Sequence, residues 1–326
     1  MVEVVSARGG SMEEYDVIIV GGGPAGLTAG LYTSRAKLKS LLIEGKWPGG
    51  QLLNTELIED YPGFESITGA ELAQRMEQQV RKLGLKIELD IVECIKPAGH
   101  RKVVQTESGK QYLAKAVIAT AGGVPRRLGV PGEEELAGFG VSYCAICDGA
   151  FFQDQEIAVV GGGDSAVEEG MFLTRYAKKV YIIHRRGEFR AQPLLVERAT
   201  KDPKIEIMLN AQVKAIHGTN SVEYVTIERE GREERLDVTG VFIFVGFVPN
   251  TSLFCGHVEH DKHGYVITNE MMETSVKGIF AAGDVRSAPT RQITTAVGDG
   301  TIAAIAAQHY VEDLPREENE EIAWVS

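Results

Sequence analysis

The fold is decided by residues 16–26, which read DVIIVGGGPAG. The run ending at residue 20 is short and rich in β-branched residues, which is typical of a buried parallel strand. Gly21, Gly23 and Gly26 follow it, and residues 25–34 have the small side chains of a helix packed on a sheet. In such a unit the first glycine permits the turn, the second lets the backbone approach a pyrophosphate, and the third lets helix and strand pack closely. The stretch therefore predicts a dinucleotide-binding unit.

An acid stands at the position that this kind of unit uses to bind a ribose. Residues 40–43 read as a second strand and end in Glu44, 23 residues after Gly21. A carboxylate there accepts hydrogen bonds from both hydroxyls of an adenosine ribose. The strand, the turn, the helix and this acid together indicate a bound adenine dinucleotide.

The same pattern returns 140 residues further on, with a strand at 156–160, a glycine turn at Gly161 and Gly163, and a helix at 166–174. At the end of its second strand, where the first unit has an acid, the chain carries basic residues: His184, Arg185, Arg186 and Arg190. Guanidinium groups bind a ribose phosphate where a carboxylate would bind ribose hydroxyls. We therefore expect the second unit to bind NADPH rather than NADH.

Two thiols lie between the glycine turns, in residues 143–149, which read YCAICDG. Cys144 and Cys147 can form and break a disulfide that closes a small ring, and Asp148 can donate or accept the proton that this exchange requires. A zinc site is not expected, because no second CxxC or nearby Cys/His pair completes four ligands. Cys94 and Cys255 stand alone in apolar surroundings, and we expect them to be buried core thiols.

Length and composition set the outer limits. The 326 residues suggest about two domains. The formal charge of −12 argues against a nucleic-acid partner. No apolar run approaches the ~20 residues of a membrane span, and the first residues lack the apolar centre of a signal peptide, so a cytoplasmic protein is expected. The acidic residues 312–321 are interpreted as a solvated end.

Further loops carry polar groups that suit a flavin cofactor. Residues 277–284 read as a strand ending in Gly283 and Asp284, and a carboxylate at a strand end can bind a sugar-alcohol chain. Arg291 and Gln292 precede a small-residue helix at 294–307, whose N-terminus favours negative charge on a flavin ring. Proline-containing segments near residues 125 and 249 mark two crossings between domains.

These motifs, in this order, resemble the low-molecular-weight thioredoxin reductase family of bacteria. The resemblance rests on residues 21–26, 44–51, 59–63, 144–149, 161–169, 184–191, 283–285 and 291–292. It implies an α/β fold of two Rossmann-like, three-layer ββα domains. The FAD domain would be discontinuous, formed by residues 12–124 and 250–326, with an NADPH domain inserted at 125–249. It further implies a homodimer, a rotation between its domains, and thioredoxin or a thioredoxin-like protein as the partner.

The resemblance also assigns residues to roles. Cys147 is the thiol next to the flavin, Cys144 attacks the disulfide of the partner, and Asp148 is the acid/base. The implied FAD-binding residues are Gly21, Gly23, Pro24, Ala25, Gly26, Glu44, Gly49, Gly50, Gln51, Leu52, Asp60, Val92, Gly283, Asp284, Arg291, Gln292 and Ile293. The implied NADPH-binding residues are Gly161, Gly163, Asp164, Ser165, His184, Arg185, Arg186 and Arg190. No metal is expected.

Two rival functions stay open at this level. One is a flavin dithiol enzyme of the same fold that uses ferredoxin or oxygen, although ferredoxin-linked relatives typically lose the phosphate clamp and the second glycine turn. The other is a flavin-holding redox sensor without turnover. Two positions depart from the family pattern: Ala121 stands where a glycine is usual, and Asp60 where asparagine is frequent.

Overall fold

The structure is a computed structural model that describes residues 12–55 and 57–315. The acidic residues 316–321 and the end of the predicted FAD domain lie outside the described residues. The strands are β1 (Glu13–Val20), β2 (Ser40–Glu44), β3 (Lys86–Leu89), β4 (Val92–Ala98), β5 (Arg101–Thr106), β6 (Gln111–Ala119), β7 (Gly123–Pro125), β8 (Val141–Ser142), β9 (Glu156–Gly161), β10 (Lys179–His184), β11 (Ile205–Leu209), β12 (Ala211–His217), β13 (Tyr224–Arg229), β14 (Arg232–Leu236), β15 (Gly240–Phe244), β16 (Phe247–Pro249) and β17 (Ile279–Ala281). The α-helices are α1 (Pro24–Arg35), α2 (Gly69–Lys82), α3 (Ala145–Asp148), α4 (Asp164–Leu173), α5 (Pro193–Lys201) and α6 (Ile293–Glu312).

The described chain divides into two compact units. The first unit combines residues 12–53, 57–123 and 249–315, and the second contains residues 54–55 and 124–248. The chain leaves the first unit along β7 and returns along β16, and these two linking strands pair with each other. The second unit is therefore inserted into a first unit that is discontinuous in sequence.

The first unit is built on a seven-stranded sheet in the order β3-β2-β1-β6-β5-β4, with β17 paired to the end of β6. The pairs around β1 are parallel, whereas β4, β5 and β6 form an antiparallel meander. On β1, Ile18 and Val20 pack in one core cluster, while Val17 and Ile19 pack in another with residues of α1 and α6. Both faces of the strand are covered, which explains why its sequence is a continuous apolar run.

The second unit repeats this plan with a five-stranded parallel sheet in the order β11-β10-β9-β15-β8. A separate antiparallel sheet, β12-β13-β14, covers one face. Ala158 and Val160 of β9 face that layer, while Ile157 and Val159 face the side of α4. The predicted α/β architecture of two Rossmann-like units is confirmed.

Several local predictions are also confirmed. Helix α2 begins after Thr68, whose hydroxyl accepts a hydrogen bond from the Glu71 amide at 3.2 Å. The Thr-x-x-Glu spacing of these two residues is typical of such a helix start. The helix predicted at 294–307 is present but longer, as α6. Among residues 12–55 and 57–315, no helix has the length and apolar character that a membrane crossing needs.

The prediction of two buried core thiols was wrong. Cys94 and Cys255 form a disulfide, with their Cα atoms 5.9 Å apart. Cys94 lies on β4, and Cys255 directly follows a 3-10 helix at Ser252–Phe254 that packs against β4. The two positions are 161 residues apart in sequence, so no local pattern indicated the contact.

Candidate active site

The first glycine turn lies at the carboxyl end of β1, between β2 and β6. The strand order reverses at β1, and in open parallel sheets the crevice at such a point binds ligands. Gly21 has φ +103°, and its amide donates to the Ile43 carbonyl at 2.9 Å. A Cβ at this position would lie 2.5 Å from the Thr120 carbonyl oxygen. The turn therefore requires glycine for its conformation and for its close contact.

Thr120 holds this turn, although the sequence analysis did not single it out. Its hydroxyl lies 2.9 Å from the Val20 carbonyl oxygen and 2.7 Å from that of Gly21. A Cβ at Gly26 would overlap the Gly21 carbonyl, so the third glycine is needed for close packing of α1. The left-handed residue beyond Thr120 is Gly122, at φ +56°, and not Ala121. Alanine is therefore tolerated where the family usually has glycine.

Glu44 lies against the turn, as predicted. Its carboxylate accepts hydrogen bonds from the backbone amides of Gly22 at 2.5 Å and Lys46 at 3.0 Å. A carboxylate has about four acceptor positions. Two of them orient Glu44, and the remaining capacity fits the hydroxyls of a ribose.

The predicted loop at 49–52 is brought to the same turn. The Gly49 amide donates to the Gly22 carbonyl at 2.8 Å, and a Cβ on Gly50 would lie 3.0 Å from the Cα of Gly23. The side chain of Leu52 is buried beneath the loop, next to Ile58 and Ile67. Two backbone segments far apart in sequence thus form one narrow wall beside the glycine turn.

The third predicted element, at Gly283 and Asp284, packs against the start of α1. A Cβ on Gly283 would lie 3.0 Å from the Cβ of Ala25. Burial raises the pKa of Asp284, and the nearby charge of Arg291 opposes that effect. A residue that the sequence analysis missed also contributes: Asp299 accepts from the Gly283 amide at 3.2 Å and from Arg286 at 3.1 Å. Gln292 is the N-cap of α6, which begins at Ile293.

Two predicted FAD residues lie differently from the rest. Asp60 is exposed in the loop before Tyr61. The side chain of Val92 belongs to the core cluster of the first unit together with Ile95 and Val104. Neither residue is joined by a described hydrogen bond to the glycine turn, so their contact with a cofactor stays a prediction.

The second glycine turn ends β9 in the second unit, again where the strand order reverses. A Cβ on Gly161 would overlap the Phe244 carbonyl, whereas the same atom on Gly163 would meet nothing within 4 Å. Gly163 therefore presents open backbone at the N-terminus of α4, as close approach of a pyrophosphate requires. Asp164 does not point freely outward, because its carboxylate accepts from the Gln192 amide at 2.7 Å. Ser165 is exposed.

The basic residues after β10 fall into two groups. The ring of His184 is buried, stacks on Phe189 at 5.6 Å between centroids, and fills the space where a side chain on Gly162 would lie. Burial lowers the pKa of His184, and the position of its ring against Gly162 shapes the turn. The exposed members of the predicted phosphate-binding group are Arg185, Arg186 and Arg190. Arg190 is tied to the turn by its backbone amide, which donates to the Gly162 carbonyl at 2.7 Å.

The dithiol lies at the start of the short helix α3. Cys144 and Cys147 are joined in a disulfide with Cα atoms 5.4 Å apart, and the Cys147 amide donates to the Cys144 sulfur at 3.2 Å. Cys147 is exposed and Cys144 is half-buried. The buried Ser142 hydroxyl donates to Asp148 at 2.6 Å and accepts from the Cys144 amide at 3.1 Å. Ser142 therefore joins the acid to the dithiol, a link that the CxxCD pattern alone did not reveal.

A buried carboxylate supports the residue before the dithiol. Glu133 is 3% exposed, and its oxygens accept from the amides of Leu128 at 2.9 Å and Gly129 at 2.6 Å. They also accept from the Tyr143 hydroxyl at 2.7 Å. Burial, together with this carboxylate, raises the pKa of Tyr143. Glu133 thus anchors the segment that leads into Cys144.

A cavity of about 310 Å³ opens beside the acid within the second unit. Its lining includes Ser142, Asp148, Phe151, Phe152 and Thr239. Phe151 is 76% exposed, which is unusual for a phenylalanine side chain. In the part of the chain that the structure describes, no group of His, Cys, Asp or Glu side chains is arranged to hold a metal ion.

Comparison with known proteins shows what this arrangement is similar to. The model of the pyridine nucleotide-disulphide oxidoreductase family matches residues 15–300. The thioredoxin reductase of Bacillus subtilis is 51% identical over 303 residues, which cover 92% of this chain and 96% of that protein. The thioredoxin reductase of Listeria innocua is 51% identical over 305 residues, covering 92% and 95% respectively. The crystal structure of Lactococcus lactis thioredoxin reductase matches with a TM-score of 0.90 at 44% identity, over 92% of this chain and 100% of that one.

Proposed function

Because the chain belongs to the pyridine nucleotide-disulphide oxidoreductase family, we propose that it is an NADPH-dependent, FAD-containing thioredoxin reductase. The observation that carries this function is the Cys144–Cys147 disulfide, held beside an oriented acid in a chain with two glycine turns. With FAD and NADPH bound, the Cys144–Cys147 disulfide would accept the electrons that these cofactors supply, and the resulting dithiol would reduce thioredoxin. The ferredoxin-linked, oxygen-using and sensor alternatives are not favoured by the relatives.

The two units fit the two nucleotides. In the first unit the packed glycine turn, Glu44 and the wall at 49–52 suit FAD, whose isoalloxazine supplies two-electron transfer when it is bound. In the second unit the open backbone at Gly163 suits a pyrophosphate, and the three exposed arginines suit a ribose phosphate. We therefore assign FAD to the first unit and NADPH to the second.

The dithiol chemistry follows from the arrangement around α3. The Cys144 thiolate attacks the disulfide of thioredoxin, forms a mixed disulfide and releases one partner thiolate. The Cys147 thiolate then attacks the Cys144 sulfur, which restores the Cys144–Cys147 disulfide and releases the second partner thiolate. Asp148, oriented by Ser142, moves the proton that each thiol and thiolate exchange requires.

The partner surface is proposed from exposure and position. Phe151 is an exposed aromatic side chain three residues after Asp148, and it lines the same cavity. Exposed aromatics of this kind are enriched at protein interfaces. Thioredoxin would place an apolar side chain against Phe151 as its disulfide reaches Cys144. A cytoplasmic homodimer completes the proposal and rests on the similarity to the bacterial reductases.

The separate roles of Cys144 and Cys147 are tested by trapping a mixed disulfide with thioredoxin. The probe is a thioredoxin that keeps only its attacking cysteine, activated as a mixed disulfide with thionitrobenzoate. We expect Cys147→Ser, which retains Cys144, to form a covalent complex and release thionitrobenzoate. Cys144→Ser is the matched control and should react far more slowly. Faster trapping by Cys144→Ser would reverse the proposed roles.

A further inference from the structure

The Cys94–Cys255 disulfide is separate from the dithiol that carries the reaction. Both of its cysteines lie in the first unit, whereas Cys144 and Cys147 lie in the second. Cys94 is 6% exposed on β4, and Cys255 is an exposed residue. Cys255 adopts the left-handed conformation at φ +50°, which is uncommon for residues other than glycine. One sulfur is thus enclosed by the core and the other belongs to a residue that solvent reaches.

The bond joins parts of the first unit that the sequence separates widely. Cys94 precedes the inserted second unit and Cys255 follows it, so the ring closed by the disulfide contains all of residues 124–248. The segments that it joins also pack together, because Leu253 and Phe254 share a core cluster with Ile95. The cross-link therefore reinforces a contact on which the discontinuous unit depends.

We propose that Cys94 and Cys255 form a redox-dependent clamp that stabilises the first unit and takes no part in electron transfer to thioredoxin. It closes when the Cys255 thiolate attacks a small-molecule disulfide, forms a mixed disulfide and releases one thiol. The Cys94 thiolate then attacks the Cys255 sulfur and releases the second thiol, so two protein thiols are oxidised as one disulfide is reduced. A dithiol reductant opens the clamp by the reverse steps, with its first attack at Cys255.

The stabilisation comes from restricting the unfolded chain. A cross-link removes more conformational freedom as the ring that it closes becomes longer, although the gain grows only with the logarithm of its length. Even if the second unit stays folded while the first unfolds, the effective ring remains long. We expect the clamp to raise the unfolding midpoint of the first unit by at least about 5 °C.

The bond itself is tested on the full holoenzyme. The protein is incubated with oxidised glutathione, denatured in iodoacetamide without reductant, digested and analysed by peptide mass. The clamp predicts a linked peptide pair containing Cys94 and Cys255, which disappears after treatment with dithiothreitol. Alkylation of both cysteines after the glutathione treatment would overturn the proposal.

Its effect is tested by calorimetry of the holoenzyme with and without a phosphine reductant. We expect the reductant to lower the midpoint of the wild type, and to have no effect of this kind on the Cys94→Ser/Cys255→Ser double variant. Cys144→Ser/Cys147→Ser is the matched control and should keep the shift. The clamp-free enzyme should turn over thioredoxin within about twofold of the wild-type rate.

A second variant guards against a folding defect. Cys255→Gly removes the bond and suits the left-handed conformation at this position. An equal reductant shift in the wild type and in Cys255→Gly would refute the clamp. So would a tenfold loss of turnover in Cys255→Gly at a temperature where calorimetry shows it fully folded, because the pair would then belong to the reaction. The outcomes of peptide mapping and calorimetry do not depend on whether thioredoxin is the partner.

Discussion

Replacement of Glu133 by alanine removes the acceptor that three donors share. The Leu128 amide, the Gly129 amide and the Tyr143 hydroxyl all bond to this one buried carboxylate. A hydrogen bond to a charged group contributes about 1.5–3 kcal/mol net. The two amides belong to residues that are not fully buried, so water replaces part of the loss. We therefore use the lower end of the range, and expect Glu133→Ala to cost about 4 kcal/mol.

The neighbouring residue provides a matched control. Glu134 lies next in sequence and pairs with Arg127 at 3.4 Å, but both side chains are more than half exposed. An exposed pair contributes about 0–1 kcal/mol. Glu134→Ala should therefore leave the free energy of unfolding nearly unchanged, although it removes the same charge from the same segment.

The assay is guanidinium unfolding of the two variants and the wild type, supported by calorimetry. A cost of about 4 kcal/mol corresponds to a decrease of roughly 15 °C in the unfolding midpoint of the second unit. The separate variant Tyr143→Phe should keep most of the wild-type stability, because it removes one donor and leaves the carboxylate bonded to the two amides. Equal unfolding free energies for Glu133→Ala and Glu134→Ala would refute the role given to this carboxylate.

Three other predictions concern the phosphate-binding arginines, the acid Asp148 and the buried amine of Lys102. Arg190→Ala keeps the backbone hydrogen bond to Gly162, and should lower kcat/KM for NADPH about tenfold without changing kcat/KM for NADH. A parallel loss with NADH, or the same loss in the control Arg232→Ala, would contradict this prediction. Ser142→Ala removes the hydrogen bond to Asp148, and should slow thioredoxin reduction about tenfold and shift the pH profile of the rate. Ser221→Ala, which lines the same cavity, should do neither. Identical pH profiles for Ser142→Ala and the wild type would rule this role out. Burial lowers the pKa of Lys102 from 10.5 to about 8, so the unfolded chain binds more protons between these values and stability should rise with pH across that window. Between pH 8 and pH 10 the free energy of unfolding should rise less in Lys102→Met than in the wild type. An equal rise in the two proteins would exclude the effect.

The sequence predicted most of what is local. The turns at Gly21 and Gly161 and the acid at Glu44 each lie within a strand, a turn and a helix that follow one another in sequence, where spacing determines geometry. The two units could be anticipated because the same pattern occurs twice and lies on either side of a dithiol. Local periodicity and glycine spacing were sufficient for these features.

What the sequence did not show is long-range pairing of polar and sulfur atoms. Thr120 meets the first glycine turn 99 residues away, and Cys94 meets Cys255 across the whole inserted unit. Ser142 and Glu133 lie near the dithiol in sequence, but serine and glutamate are frequent on surfaces, and only burial reveals their role. The role of His184 was also hidden until its burial was known. It stands beside the arginines in sequence, but in the structure its ring is buried beneath the second glycine turn.

The proposed reaction requires that NADPH reduces the Cys144–Cys147 disulfide and that thioredoxin reoxidises it. The direct test adds one equivalent of NADPH to the anaerobic, flavin-loaded protein, alkylates it at once and maps the modified peptides. We predict that Cys144 and Cys147 become alkylated, and that oxidised thioredoxin added before the alkylating agent prevents this. Consumption of NADPH with this pair still linked, or a purified protein that takes up no flavin, would contradict the proposed reaction.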